Sequence, residues 1–170
     1  MVKVSICVPT YNNALEVERL LQSVHRQNYT DYEVNISDDS TNEETAELIE
    51  WIRTEWSWQD KLHYIHNEKP LGHIYNWNAA IKMAAGEYIK IMFSDDWFTD
   101  SDSLGTFVSM LDEHPKANLA FSGSMQVLLD GQDIEQVKHL NKQVTEHGNA
   151  FARYAEDAFI ERLHRNYKLF

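Results

Sequence analysis

The sequence predicts an α/β fold: a mostly parallel sheet with helices on both faces, plus a small C-terminal hairpin and helix. Two observations carry this. Short apolar runs alternate with stretches of helical periodicity over roughly the first hundred residues, the rhythm of a parallel sheet covered on both sides. Three of those runs also end in polar, ligand-capable groups: Thr10-Tyr11-Asn12, Asp38-Asp39 and Ser94-Asp95-Asp96.

Element by element, Val2 to Val8 is apolar enough for a buried strand, which Pro9 stops. Asn13 caps a helix whose Val17, Leu20, Leu21 and Val24 share one face. Tyr32 to Ser37 is a second strand, ending at Asp38-Asp39. Thr41 and Glu44 read as a capping box for a helix carrying Leu48, Ile49 and Ile52. Leu62 to His66 is a third strand. Ile74, Trp77, Ile81 and Ala84 have helical spacing, and Gly86 terminates that helix. Glu87 to Phe93 is a fourth strand, followed by Ser94-Asp95-Asp96. Asp102 or Ser103 then caps a helix through Leu111, and Asn118 to Ser122 is a further strand. Met125 to Leu129 and Ile134 to Lys138 flank Asp130-Gly131 as a hairpin. Gly148 to Tyr167 carries an apolar helical stripe of Phe151, Tyr154, Ala155, Ala158, Phe159 and Leu163. No repeat or linker interrupts the chain, so residues 1–170 read as one domain.

Composition narrows the function. With 170 residues the chain can bury an ordinary core, and 43% hydrophobic and 12% aromatic residues argue against disorder. Fifteen basic against 27 acidic side chains leave a formal charge of −12, which disfavours a nucleic-acid partner. No apolar run is long enough for a transmembrane segment, and the N-terminus lacks a signal-peptide pattern. A single cysteine, Cys7, rules out an internal disulfide. The expected location is the cytoplasm, with peripheral attachment to the inner face of the membrane left open.

Ligands of open parallel sheets bind at the carboxyl ends of the strands. Two acidic pairs at that edge repel at short range, and a divalent cation or ligand hydrogen bonds relieve the repulsion. Oxygen-only ligands select Mg²⁺ or Mn²⁺ over zinc. Phosphate-binding glycine motifs of the dinucleotide and P-loop types are missing from the sequence. His63 and His66 are three apart on a strand and so make poor co-ligands. Trp51, Trp56 and Trp58 read as helix-to-sheet packing rather than a binding patch.

Val4-Ser5-Ile6-Cys7-Val8-Pro9-Thr10-Tyr11-Asn12 resembles the opening strand of family 2 glycosyltransferases with the GT-A fold. Tyr32 to Thr41 resembles their second strand and its acidic end. Asn67, Gly72, Asn76-Trp77-Asn78 and Ala85-Gly86-Glu87-Tyr88-Ile89 resemble the segment leading into the metal motif, and Ser94-Asp95-Asp96-Trp97 resembles that motif in its x-D-D form. The four pieces stand in the right order over about residues 1–122.

The resemblance implies transfer of a sugar, with inversion, from a nucleotide diphosphate donor, usually a UDP-sugar, to an acceptor hydroxyl. It implies that residues 1–122 form the nucleotide-sugar and metal-binding core and that 123–170 begin an incomplete acceptor-side portion. By position, Pro9, Thr10, Tyr11 and Asn12 border the nucleotide, together with Asn67, Gly72 and Asn78. Asp39 accepts from the uracil N3–H, with neighbouring Asp38 as the alternative. Asp95 lies near the ribose or the metal, and Asp96 holds the Mn²⁺ or Mg²⁺ that bridges the phosphates. The family's usual Arg is replaced by Trp77, with Lys69 or His73 as substitutes. Glu156-Asp157 resembles the pair that supplies the general base, which makes Asp157 the catalytic candidate. The implied partners are a nucleotide-sugar donor and a glycan or lipid-linked acceptor in surface polysaccharide or glycan synthesis. A non-catalytic nucleotide-sugar-binding module is the alternative, and oligomerisation is left open. The apolar C-terminus, Tyr167-Lys168-Leu169-Phe170, suits truncation, so the chain is expected to bind donor without necessarily completing transfer.

Overall fold

The computed structural model describes residues 2–122 and 168–169. The chain parts into two compact units, Met1–Ala120 with Tyr167–Phe170 and Phe121–Asn166, and all described elements belong to the first. The expected hairpin of Met125–Leu129 and Ile134–Lys138, the helix of Gly148–Tyr167 and Asp157 lie outside the described residues.

Strands β1 (Val4–Thr10), β2 (Tyr32–Asp38), β3 (Leu62–His66), β4 (Tyr88–Ile91) and β5 (Lys168–Leu169) alternate with helices α1 (Ala14–His25), α2 (Glu44–Glu55), α3 (His73–Lys82) and α4 (Ser103–Glu113). The strands form one parallel sheet in the order β3-β2-β1-β4-β5. The chain therefore steps from β1 outward to β3, then returns to the far side of β1 as β4. With right-handed crossovers this reversal puts α1 and α2 on one face and α3 on the other.

The side chains follow. Val4, Ile6, Val8, Val34 and Ile36 alternate onto the face where Val17, Leu20, Leu21, Val24, Ile49 and Ile52 make the main core with Leu104, Phe107, Val108 and Leu111 of α4. The odd-numbered positions Ser5, Cys7, Glu33, Asn35 and Ser37 point the other way and are all buried. On that second face Glu33 Oε1 accepts the Ser5 hydroxyl at 2.6 Å, the Ala85 N–H at 2.7 Å and the Asn35 amide at 3.1 Å. Burial pushes the Glu33 carboxyl up, but those bonds and His63 outweigh it and hold it below the usual range. Cys7 lies fully buried in the middle strand, where desolvation and then the charge of Glu33 push its thiol up.

Several local expectations are corrected. Pro9 lies inside β1 rather than ending it. The Cys7 carbonyl accepts the Met92 N–H at 3.0 Å, so by alternation Pro9 also faces β4, beyond the last paired residues Cys7 and Ile91. Its missing donor costs the ladder nothing there. Thr41 and Glu44 form no capping box: α2 starts at Glu44, Glu43 holds the cap position, and the Thr41 N–H donates to Asn12 Oδ1 at 2.9 Å. Asn13 does occupy the cap position of α1, yet its side chain makes no cap bond.

Nor does Gly86 end α3, which stops at Lys82 with Met83 as its cap. A Cβ on Gly86 would stand 2.7 Å from the Ser5 nitrogen, so glycine is needed for close approach to β1. The buried residues of α3 are Asn76 and Ala80, whereas Ile74 is 58% exposed. A small and hydrogen-bonding helix face suits the polar sheet face beneath it better than the expected apolar one. Residues 118–122 form no strand, only an isolated bridge at Leu119. Two of the three tryptophans pack: Trp58 is 5% exposed and Trp56 stacks on His25 with ring centroids 4.6 Å apart, whereas Trp51 is 50% exposed.

Candidate functional site

The reversal at β1 makes the carboxyl edge a switch point, where successive connections leave in opposite directions. Register places Thr10 level with Asp38, and Asp38 level with His66. Parallel pairing of β1 with β4 through Cys7 and Ile91 brings the Ser94-Asp95-Asp96 end to the same edge.

On the β2 side both acids are buried and engaged. Asp38 accepts the Ser40 N–H and the Tyr64 hydroxyl, each at 2.8 Å. Burial, then that bond, pushes the Tyr64 phenol up. Asp39 Oδ1 accepts the Asn67 amide at 2.8 Å, while its Oδ2 accepts the N–H groups of Leu71 at 3.0 Å and Gly72 at 2.8 Å. Gly72 has φ +82°, which a glycine adopts without strain, and it turns the chain into α3. Asn76 sits one turn on: it donates to the Thr10 carbonyl at 3.0 Å and accepts from Asn67 at 3.3 Å. His66 donates to the Ser40 carbonyl at 2.8 Å; that bond, with the charges of Asp38 and Glu43, raises its imidazole pKa.

At the end of β1, Tyr11 is 54% exposed. Asn12 adopts φ 51°, in the left-handed region that asparagine tolerates, and its N–H donates to Ser40 Oγ at 2.8 Å. The side chain of Asn13 accepts the Thr10 hydroxyl and donates to Ser94 Oγ.

After β4 the chain turns through Phe93–Asp96, closed by the Asp96 N–H on the Phe93 carbonyl at 2.9 Å. Asp95 and Asp96 both reach solvent. Partial desolvation, and next the charge of Asp95, raise the Asp96 carboxyl above the usual range, against a backbone hydrogen bond from Phe93 and the charge of Lys90. Lys90 itself is held down by burial. Trp77 packs on Phe93 with ring centroids 4.9 Å apart.

At this turn Asp95 and Asp96 offer two exposed carboxylate oxygen donors, the chemistry a hard divalent cation takes. Among the described residues no three His, Cys, Asp or Glu side chains converge on one point. Cations that work on phosphates, however, use one or two protein carboxylates and complete their shell with the substrate's oxygens. Two adjacent carboxylates, one destabilised by the other's charge, are such a donor set.

The family model "Glycosyl transferase family 2" matches residues 5–154, most of the chain. The chain belongs to glycosyl transferase family 2. It is similar to the GalNAc(5)-diNAcBac-PP-undecaprenol beta-1,3-glucosyltransferase of Campylobacter jejuni, 25% identical over 84% of this chain and 47% of that protein. It is 34% identical to abequosyltransferase RfbV of Salmonella typhimurium over 64% of this chain and 32% of that one. The crystal structure of Staphylococcus aureus TarS 1-349 in complex with UDP superposes with a TM-score of 0.61 and 28% identity, covering 79% of this chain and 38% of the other. The family 2 chain thus spans less than half the length of each relative, and it shares their GT-A architecture.

Of the residues singled out in the sequence, Pro9, Thr10, Tyr11, Asn12, Asp38, Asp39, Asn67 and Gly72 gather around the ends of β1 and β2, while Asp95 and Asp96 stand past β4. Asn78 stays apart from that network, its amide donating to the Ile74 carbonyl of its own helix at 2.9 Å. Lys69 and His73 are exposed at the rim. Sequence reasoning gave no site role to Asn13, Ser40 and Asn76, and read Ser94 only as part of the acidic strand end. For Asn76 a signal existed: it stands four residues before Ala80 and four after Gly72, the spacing of one helix face.

Proposed function

We propose that the chain is the donor-binding part of an inverting glycosyltransferase that moves a sugar from a UDP-sugar to an acceptor hydroxyl with Mn²⁺ or Mg²⁺. The observation that carries this reading is the division of one sheet edge by β1, with hydrogen-bonded Asp39 on one side and the exposed Asp95-Asp96 turn on the other. Asp39 uses three acceptor sites of about four on its carboxylate, and the remaining one on Oδ1 suits the uracil N3–H. Cytosine has no such donor. Pro9, Thr10, Tyr11 and Asn12 border the nucleotide between the two sides, with exposed Tyr11 available to stack on the base.

Asp96, with Asp95, would hold the divalent cation, whose chemistry there is Lewis-acid stabilisation of the departing diphosphate. A net charge of −12 gives an anionic donor no long-range attraction, so positive charge has to be supplied locally. The same reading assigns the general base to Asp157 and the start of the acceptor side to residues 123–170. It puts the enzyme in surface polysaccharide or glycan synthesis with a glycan or lipid-linked acceptor, in keeping with the names of the relatives. Among the described residues no helix is long and apolar enough to cross a membrane.

Calorimetric titration of UDP with and without Mn²⁺ tests the reading. Binding should need the cation in the parent protein, and Asp96→Ala should lose that dependence with its fold intact by circular dichroism. Undiminished Mn²⁺-dependent binding by Asp96→Ala would remove the assignment.

A further inference from the structure

We infer that Asn13 is a positioning residue, the tie that fixes the Asp95-Asp96 turn relative to the end of β1. This deepens the proposed function and rests on it for the role of that turn. The backbone pairing of β1 with β4 finishes at Cys7 and Ile91, with one more bond from the Met92 N–H to the Cys7 carbonyl. Beyond that point the two chains part, β1 into Tyr11–Asn13 and β4 into Phe93–Asp96. The Asn13 amide spans the gap. Its oxygen accepts the Thr10 hydroxyl and, at 3.3 Å, the Tyr11 N–H; its nitrogen donates to Ser94 Oγ.

Two features argue that this arrangement serves the edge rather than α1. An asparagine at a helix cap position ordinarily turns its oxygen to the helix's own N–H groups, a stabilising contact. Asn13 forgoes that contact, although the Val17 N–H bonds its carbonyl at 3.1 Å and the helix begins there. Ser94, its partner, is buried, whereas the next two residues are exposed. The buried hydroxyl is thus the fixed point beside which two exposed carboxylates stand. An amide accepts from Thr10 and donates to Ser94 at the same time without adding charge beside two acids. A chain of hydrogen bonds from Thr10 through Asn13 to Ser94 therefore transmits the position of the nucleotide-bordering strand end to the metal-motif turn.

The test uses the full chain with Asn13→Ala, Ser94→Ala, the double variant and Ser94→Thr, which keeps the hydroxyl. Without ligand, amide hydrogen exchange should be faster at Asp96 in both alanine variants and near the parent rate in Ser94→Thr, with the core amides of β1 and β2 unchanged. In titrations, each alanine variant should weaken Mn²⁺-dependent UDP binding about five-fold, the scale of one lost hydrogen bond. In Ser94→Ala, which leaves the bonds of Asn13 to Thr10 and Tyr11 in place, uridine binding should stay as in the parent. The double variant should lose no more than the worse single one, because both cut the same tie. Unchanged exchange at Asp96, multiplying losses in the double variant, or equal losses for uridine and UDP in Ser94→Ala would each overturn the inference. If the parent protein itself fails to bind UDP with Mn²⁺, the proposed function falls instead, and the exchange comparison still decides whether Asn13 holds the turn.

Discussion

The Asp39 carboxylate accepts the Gly72 N–H at 2.8 Å, so the residue that follows β2 also fixes where α3 begins. Its other oxygen holds Asn67, and both ends of the loop between β3 and α3 are tied to one buried acid. In Asp39→Asn one carboxylate oxygen becomes a donor, and in either amide orientation it faces an N–H group. The expected loss is about 1–2 kcal/mol, from setting a donor against part-buried N–H groups. Urea unfolding should show a lower midpoint with the slope unchanged.

Gly86→Ala should be costly for a steric reason alone. The added Cβ would meet the Ser5 nitrogen at 2.7 Å and the Val4 carbonyl carbon at 2.8 Å, both backbone atoms of the central strand. Neither can swing aside as a side-chain tip could. A destabilisation of about 3 kcal/mol, at the upper end for overpacking, is the expected result of the same unfolding measurement.

Glu33 makes stability depend on pH. Burial disfavours its charge, but the Ser5, Ala85 and Asn35 bonds and His63 favour it more, so its folded pKa lies below the ordinary value near 4.5. The unfolded chain therefore takes up the proton first as pH falls. The stability that the ionised group contributes is complete above the ordinary value and disappears as pH drops through the folded one. Measured by urea unfolding, the gap between the parent and Glu33→Gln should shrink as pH falls below about 4.5. A gap that widens below that pH would contradict this account.

The two outer tryptophans of the α2 region should differ sharply. Trp58 is 5% exposed and packs edge-on against Trp56, His25 and Tyr32, whereas Trp51 on α2 is 50% exposed. Trp58→Ala should cost about 3–5 kcal/mol, as for other buried aromatics. Trp51→Ala should cost under about 1 kcal/mol, and a thermal melt of the two variants side by side separates them.

The elements were legible where one physical signal dominated. The apolar runs of β1 and β2 and the stripe Val17, Leu20, Leu21, Val24 are core residues in the fold as in the pattern. The acidic strand ends were legible too, because adjacent carboxylates at one edge need a reason. What the pattern hid was the polar face of the sheet. Ser5, Glu33, Asn35 and Ser37 look like the solvent side of an alternating strand, yet they are buried beneath α3. That burial is why α3 presents Asn76 and Ala80 inward, and why its exposed Ile74 misled the periodicity. Side chains that cap a helix in most sequences, such as Asn13, were also unreadable, since their partners Thr10 and Ser94 meet only after the strands pair.

The position of Cys7 gives the molecule a built-in chemical clock. It is the sole thiol in the sequence, and it sits fully enclosed at the centre of the middle strand. A reagent that alkylates thiols can reach it only after the layer covering that face has opened, so the rate of modification in native buffer reads out the opening of the fold. Nucleotide or cation that tightens the edge should slow that rate, reporting binding without any added label.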